Sequence, residues 1–402
     1  MSAGSGIHSV TPSSGFRFDG SWVFLSLFFF WAGAFEMAPV HYPGQGMFFD
    51  FFVGVIVILI YFLCVLIHEG GHKLSAKIFR RFYDGNQLTI WGGVPREAES
   101  FTAVDPKDRI IRMAGPLLNL AFGIALHHLD ASIRQNPDPL SEEIAPFIFF
   151  AMKVNLFLAM INLLPILPFD MGAILLQSND EIHPRPTSRW MIQGGLAFAW
   201  VMTLIGLALA TRGSLISGFG MIFFGVHLAR NVVVWKGRLG LVAFLRNQNV
   251  LQFVEPDHHA LLTTGSLKEA YQDHFYPSGR KRLPVCDRDG MFMGGLDWEE
   301  LKKVPEPLRV DRTVGSLPIM DGARDRVFLG QRSWVTLFDA IERGTSHLFA
   351  VENERYVGIV FPSRVLEQYR MESGLGPHDQ KADGLKMIED LEGPQPNPPA
   401  VL

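Results

Sequence analysis

The sequence predicts an α-helical polytopic membrane protein with six transmembrane helices, followed by a C-terminal α/β domain. Long apolar runs fill the first 235 residues, whereas the remainder alternates short apolar and polar segments like a soluble domain. The chain is 48% hydrophobic and only 19% charged, which also favours a membrane protein. Its 402 residues are enough for more than one domain.

Six apolar runs can each form a helix that crosses a bilayer, since about 20 residues are needed. The last two are separated only by "TRG", which predicts a tight hairpin. Buried helices of a large soluble protein would not give six such runs with one-sided charge between them. The runs cover about 21–39, 48–74, 110–128, 146–176, 189–211 and 214–235.

Basic residues alternate between the connections, and this alternation predicts the orientation of the chain. The connection at 40–47 contains no Lys or Arg, the one at 129–145 contains only Arg134, and the short hairpin contains only Arg212. The other connections and the exit from the last run are richer, so both termini are expected in the cytoplasm. The basic residues on that side are Lys77, Arg80, Arg81, Arg96, Lys107, Arg109, Arg185, Arg189, Lys236 and Arg238.

The overall charge and the cysteines exclude some classes of protein. A net charge of −4 gives no nucleic-acid footprint. Two distant cysteines, Cys64 and Cys286, make no disulfide framework. The polar residues before Ser21 and the lack of an A-x-A site argue against a cleavable signal peptide.

The second apolar run ends in "HEGGH", residues 68–72. A helix places residues four apart on one face, so His68 and His72 can hold one metal ion, with Glu69 beside the first histidine. Ionisable groups inside a membrane helix are costly and usually functional. The alternative is a pair of helix-end histidines that face water at the membrane surface.

The fourth run supplies a candidate for the third protein ligand that hydrolytic zinc sites usually have. "NLFLAMINLLPILPFDMG" contains a single carboxylate, Asp170, after two prolines, Pro165 and Pro168, that break the helix. Broken backbone at membrane depth is tolerated where it lines a cavity or is buried in protein. An aspartate that merely caps a short helix is the alternative for Asp170.

These motifs carry a resemblance. "HEGGH", then "AGPLLNL" at 114–120, then "NLLPILPFDMG" at 162–172, resemble the site-2 protease family of intramembrane zinc metalloproteases in order and spacing. The resemblance covers roughly residues 48–235. It implies one Zn²⁺ per chain, held by His68, His72 and Asp170, with Glu69 as the catalytic acid/base.

The same resemblance implies further roles. Asn162, eight residues before Asp170, is expected to bind the substrate backbone, and Gly115, Pro116 and Asn119 match a helix-packing motif. Met171 departs from the family pattern, in which many members have Gly after the aspartate. "QLTIWGGVPREAESF" predicts a strand and turn, with an irregular loop as the alternative, and the family fold has a membrane-associated hairpin in this region.

The C-terminal region contains a weak repeat with a period of about 65 residues. "SLKEAYQDHF" and "WVTLFDAIERG" predict helices, and each precedes a predicted pair of strands, at 280–297 and 346–361. The repeat is similar to paired CBS motifs, which implies a cytosolic CBS-like regulatory domain.

An adenine nucleotide is a second possible ligand, bound by the CBS-like region. However, the Thr/Ser-x-x-Asp pattern of nucleotide-binding CBS motifs is absent. Its positions carry Asp297 and Glu300 in the first copy, and Phe361 and Arg364 in the second. These residues argue against nucleotide binding but not against the CBS-like fold.

The predicted organisation is a cytosolic segment at 1–20, a six-helix metalloprotease domain at 21–236, a linker at 237–250, a CBS-pair-like domain at 251–370 and a polar, partly disordered tail at 371–402. The expected function is cleavage of membrane-anchored protein substrates within the lipid bilayer, most simply in a bacterial inner membrane. Homo-oligomers are a further expectation, because CBS pairs often associate, whereas no nucleic-acid partner is expected. The alternative function is a catalytically silent membrane scaffold or sensor that acts through the CBS-like domain.

Overall fold

The computed structural model describes residues 17–18, 21–81, 87–89, 92–93, 106–136, 138–177, 186–320, 325–330 and 333–374. They belong to two compact units: Met1–Pro95, Ala103–Asn179 and Trp190–Ala229 form the first, and Arg96–Thr102, Asp180–Arg189 and Arg230–Leu402 form the second. Most of the predicted N-terminal segment and the predicted disordered tail after residue 374 lie outside the described residues.

Long helices make up the membrane part of the chain. Within the described residues, six helical segments are long and apolar enough to cross a membrane, as the sequence predicts. A π-helical turn at Ala32–Met37 joins the first two helices into one span. The helices are α1 (Ser21–Trp31), α2 (Ala38–His41), α3 (Met47–Ile78), α4 (Pro106–Gln135), α5 (Pro139–Asn162), α6 (Asp170–Gln177), α7 (Pro186–Thr211) and α8 (Leu215–Asn247).

The fourth apolar run is broken where its prolines predict. Helix α5 ends at Asn162 and α6 begins at Asp170, so residues 163–169, with Pro165 and Pro168, are not helical. A proline removes a backbone donor and clashes with the preceding turn, which ends a helix. The break leaves Asp170 at the start of a new helix.

Packing in the first unit centres on α3. Apolar side chains of α1, α3 and α5 form one buried cluster: Trp22, Leu25, Tyr61, Cys64, Val65, Val154 and Leu158. The π-helical turn after α1 is closely apposed to α3, because a Cβ on Gly33 would lie 2.8 Å from the Cα of Gly54. Small residues of this kind allow membrane helices to pack closely.

The predicted strand and turn after α3 are present. Strand β2 (Gln87–Thr89) pairs antiparallel with β3 (Gly92–Gly93), and β1 (Arg17–Phe18) pairs parallel with β2. The structure therefore confirms the hairpin that "QLTIWGG" predicts.

The second unit contains two copies of one motif. In the first copy, β5 (Leu261–Leu262) is followed by a helical segment with α9 (Leu267–Glu269) and α10 (Tyr276–Ser278), then β6 (Arg282–Cys286), β7 (Phe292–Asp297) and α11 (Trp298–Lys302). The second copy has β8 (Arg326–Phe328), α12 (Ser333–Arg343), β9 (Leu348–Glu352), β10 (Arg355–Val360) and α13 (Pro362–Glu372).

Strand pairing is the same in both copies. The first strand of each copy is parallel to the second, and the second is antiparallel to the third. A further strand, β4 (Val254–Glu255), pairs with the outer edge of β10. This topology confirms the predicted repeat and the CBS-like α/β fold class.

The segment predicted as a linker is largely helical. Helix α8 continues through residue 235, where the apolar run ends, to Asn247, and it enters the second unit at Arg230. Apolar residues persist along this extension: Leu241, Val242 and Leu245 are buried. Hydrophobicity alone marked the end of the span, whereas these buried contacts extend the helix beyond it.

Candidate metal and active site

The motif "HEGGH" lies within α3, as predicted. His68, Glu69 and His72 are 3%, 1% and 2% exposed, so the alternative of water-facing histidines at a helix end is wrong. Buried ionisable side chains need partners or a metal ion, because the cost of removing charge from water is large.

Asp170 lies against both histidines, although it is 102 positions from His68 in the sequence. Its Oδ2 atom lies 3.2 Å from His68 Nε2 and 3.5 Å from His72 Nε2, and the two Nε2 atoms are 3.2 Å apart. Ligand atoms about 2.0–2.1 Å from a tetrahedral zinc ion are separated by about 3.3 Å. The three atoms therefore have the separations of three corners of a zinc tetrahedron.

A backbone carbonyl sets the proton position on His72. His72 Nδ1 lies 2.8 Å from the carbonyl oxygen of Ile111 on α4. Because that oxygen can only accept, Nδ1 carries the proton and Nε2 presents a lone pair. Partners of this type orient metal-binding histidines and raise their basicity.

Glu69 lies beside the two imidazoles. The group His68, Glu69 and His72 offers one ligand atom each, and these atoms lie within 4.8 Å of one another. The chain therefore provides three atoms that can hold a metal ion and a second carboxylate within reach of the same point, which is the donor set of a hydrolytic zinc site.

Asn162 and His68 line one cavity of about 270 Å³. Asn162 is the last residue of α5, and its Nδ2 atom donates to the carbonyl of Leu158 at 2.9 Å. The predicted substrate-binding asparagine therefore lines the same cavity as His68, one of the predicted metal ligands. The other lining residues are Phe29, Tyr61, Val65, Phe150, Lys153, Val154, Phe157, Leu158, Ile161 and Phe224.

The glycines of the motifs permit close helix approach. A Cβ on Gly71 would lie 2.6 Å from the carbonyl oxygen of Ala114, so α3 and α4 touch at this level. A Cβ on Gly172 would lie 2.2 Å from the carbonyl oxygen of Ile166. Gly172, which follows Met171, therefore permits the close approach of α6 to the non-helical segment before it.

Three features of the site were not predicted from the sequence. They are the hydrogen bond of His72 to the Ile111 carbonyl, the contact of Gly115 with His72, and the position of Lys153 in the cavity. The first has no sequence signal, because any residue provides a carbonyl. Gly115 belongs to the helix-packing motif named above, but that motif does not predict a contact with His72. A lone lysine in an apolar run was the sequence signal for Lys153.

The positions that nucleotide-binding CBS motifs would use form internal contacts here. Asp297 accepts two hydrogen bonds from Arg282, at 2.5 and 2.7 Å, and Glu300 pairs with Lys303 at 2.6 Å. Arg364 pairs with Glu255, and its guanidinium lies 5.3 Å from the ring centre of Phe361.

Comparison with known proteins finds relatives that match most of the chain. No protein-family profile matches the chain. It is 24% identical over 319 residues to a Mycobacterium tuberculosis protein provisionally named zinc metalloprotease Rip3, covering 76% of this chain and 79% of the relative. It is 26% identical over 271 residues to the provisionally named zinc metalloprotease sll0528 of Synechocystis, covering 66% of this chain and 69% of that one.

Two solved structures show weaker likenesses. The site-2 protease from Methanocaldococcus jannaschii is 19% identical, with a TM-score of 0.33 over 51% of this chain and 88% of that one. A CBS domain pair/ACT domain protein from Thermotoga maritima is 19% identical, with a TM-score of 0.27 over 32% of this chain and all of that one. Both scores are too low to support a conclusion about this chain.

The sequence similarity to Rip3 extends past the membrane helices. Its 319 residues exceed the 247 through which α8 runs, so the match includes part of the C-terminal region. The chain is thus similar over most of its length to relatives named as zinc metalloproteases, and its three ordered motifs resemble those of the site-2 protease family.

Proposed function

We propose that this protein is an intramembrane endopeptidase that binds one zinc ion and cleaves the membrane segments of anchored proteins. The observation that carries the proposal is the meeting of His68, His72 and Asp170 at ligand-to-ligand distances beside the buried carboxyl group of Glu69. His68, His72 and Asp170 would hold the zinc. When bound, zinc supplies Lewis acidity and makes water acidic enough to react near neutral pH.

The residues of the chain have distinct tasks in this scheme. Glu69 accepts the proton of the attacking water and delivers it to the leaving amine nitrogen. Asn162 holds the substrate backbone, which its position beside His68 in the cavity supports. The surrounding helices keep bulk water and lipid away from the peptide bond during the reaction.

The substrate class follows from the location of the site. A peptide bond inside a membrane helix is hydrogen-bonded and shielded, so the segment must unwind before it can enter. Gly, Pro or β-branched residues lower that cost. We therefore expect substrates with weak helix formers near the cleavage point, at a membrane depth nearer the cytoplasm, and release of the product on that side. Both termini would be cytoplasmic, and a bacterial inner membrane is the expected location.

Regulation through the CBS-like region is part of the proposal. Its support is the packing of this region on the last part of α8. Arg238 on α8 pairs with Glu342 on α12 at 2.5 Å, and Tyr369 on α13 lies against Phe244 with ring centres 5.5 Å apart. A change in the CBS-like fold would act on the end of a membrane helix through these contacts.

The testing experiment measures zinc content by elemental analysis of detergent-purified protein. The wild type is compared with His72→Ala and Asp170→Ala, with His128→Ala as the control, because His128 is an exposed histidine on α4. We expect about one zinc per chain in the wild type and the control, and little in the two ligand variants. Zinc content that is absent, or unchanged in Asp170→Ala, would contradict the site and favour a silent scaffold.

A second experiment separates metal binding from catalysis. Glu69→Gln should keep its zinc and lose cleavage of a designed membrane peptide, since the amide cannot accept and return the proton. If Glu69→Gln cleaves at the wild-type rate, Glu69 does not have the acid/base role.

A further inference from the structure

We propose that Lys153 is a specificity residue that binds a carboxylate on the membrane segment of the substrate, about four residues from the scissile bond. This inference rests on the proposed proteolytic function, which it extends to the choice of substrate. The cavity that contains His68 and Asn162 is lined mainly by aromatic and aliphatic side chains, and Lys153 is its one cationic lining residue in the described part of the chain.

Lys153 has no internal anionic partner in the described part of the chain. Its ammonium lies 4.1 Å from the ring centre of Phe149, one turn earlier on α5. No carboxylate of a described residue forms an ion pair with it. A cation at membrane depth is costly, and such residues pair with an anion or serve an ion or substrate path.

The position along α5 argues against simple escape of the charge to the membrane surface. Lys153 follows the acidic residues Glu142 and Glu143 by ten or more positions, which is about 15 Å along a helix axis. A lysine side chain reaches roughly 6 Å, so its ammonium remains well below the level of these residues. The exposed lysine thus presents its charge at the depth of the cavity.

The spacing to Asn162 sets the register of the expected substrate. Lys153 and Asn162 are nine residues apart on one helix, or about 13 Å along its axis. An extended chain advances about 3.3 Å per residue, so about four residues of unwound substrate span this distance. On the predicted topology, α5 runs inward, so the carboxylate would lie on the outer side of the scissile bond.

Charge complementarity therefore favours one occupant: a substrate segment with Asp or Glu at this position. An acidic residue inside an apolar segment would otherwise be expensive to hold in the bilayer, and the Lys153 ammonium would offset that cost. The same residue would discriminate against segments that carry Lys or Arg there, because like charges repel in a low dielectric.

The test measures binding to a Glu69→Gln protein in phosphatidylcholine vesicles, so that no cleavage is needed. The probes are designed single-spanning Leu/Ala peptides with a central Gly pair, identical except for Asp, Asn or Lys at three to six residues on the outer side. Lys153 is varied to Met, Arg and Glu in the same background, and Leu207→Met on exposed α7 is the control.

We expect the Asp peptide to bind roughly tenfold more tightly than the Asn peptide, and most strongly near the fourth position. The preference should persist in Lys153→Arg and in the control, disappear in Lys153→Met, and change to the Lys peptide in Lys153→Glu. An Asp-to-Asn ratio that is unaffected by Lys153→Met overturns the proposal. Equal binding of all peptides, with competition by phosphatidylglycerol, would assign the lysine to lipid and overturn it as well.

Cleavage of the same peptides by the wild-type protein gives an independent readout. Absence of cleavage together with the charge preference would contradict the proteolytic function but not the role of Lys153. Cleavage that ignores the charge at every scanned position would contradict the role of Lys153 but not the proteolytic function.

Discussion

Gly115 on α4 lies directly against the imidazole of His72 on α3. A Cβ on residue 115 would be 2.4 Å from His72 Nε2, the atom that faces Asp170, and 2.9 Å from the carbonyl oxygen of His68. The packing of α3 against α4 therefore also sets the orientation of His72, a predicted metal ligand. A single methyl group at residue 115 would displace this imidazole.

The first prediction concerns this contact. Gly115→Ala should lower zinc affinity by about tenfold or more, since misoriented ligands lose affinity on this scale. Gly70→Ala is the matched control, because a Cβ there meets no atom within 4 Å. Zinc titration against a competing chelator measures both. Equal zinc affinity in the two variants would contradict this prediction, because it would mean that α4 shifts to accommodate the methyl group without moving His72.

Asn162 should act on the substrate rather than on the metal. Asn162→Ala should keep about one zinc per chain and reduce peptide cleavage by roughly tenfold or more, because a positioned polar contact to the substrate is lost. The lost hydrogen bond to Leu158 lies within α5 and contributes little to the fold. Parallel loss of zinc and cleavage would instead assign Asn162 to the metal site.

The pair Arg238 and Glu342 should stabilise the end of α8. The two side chains are only 11% and 12% exposed, and the guanidinium donates two hydrogen bonds, at 3.0 and 2.5 Å. Glu342→Ala should cost about 3 kcal/mol, because it leaves a nearly buried arginine without its partner. Thermal unfolding of the full chain in detergent measures the loss.

A charge exchange provides the control for that pair. Arg238→Glu combined with Glu342→Arg should recover part of the thermal stability that each single change loses. If the losses of stability in the two single variants simply add in the double variant, the contact contributes through packing rather than through charge.

Acid should destabilise the CBS-like region through His347. Burial, together with the nearby charge of Arg280, lowers the pKa of His347 from 6.5 to about 4. In the unfolded chain, His347 therefore binds a proton below about pH 6.5, whereas in the folded chain it stays neutral until about pH 4. Stability from neutral His347 is full above pH 6.5 and falls as the pH drops through this window.

The measurement is the thermal midpoint of the C-terminal region between pH 7 and pH 4, in wild type and His347→Gln. The variant should show a shallower decline over this window because its side chain does not titrate. The carboxyl group of Asp257 contributes separately: desolvation opposes its charge, but hydrogen bonds from Tyr356 and Arg280 hold its pKa below the usual value, so its loss comes at lower pH. Identical pH profiles would exclude His347 as the source.

The sequence by itself determined the features that depend on local pattern. Apolar length located the six spans, helical spacing put His68 and His72 on one face, and two prolines marked the break before Asp170. The helix and strand signals of the C-terminal repeat were also local. Each of these follows from the properties of neighbouring residues, which a short window of sequence contains.

The tertiary structure decided what lies against what. It brought Asp170 to His68 over 102 positions and Arg238 to Glu342 over 104, and it chose the Ile111 carbonyl to orient His72. It also carried α8 through the predicted linker and placed Lys153 in the cavity of His68. Such contacts depend on the rotation and depth at which helices pack, and these are set by the shapes of many distant side chains together rather than by any local period.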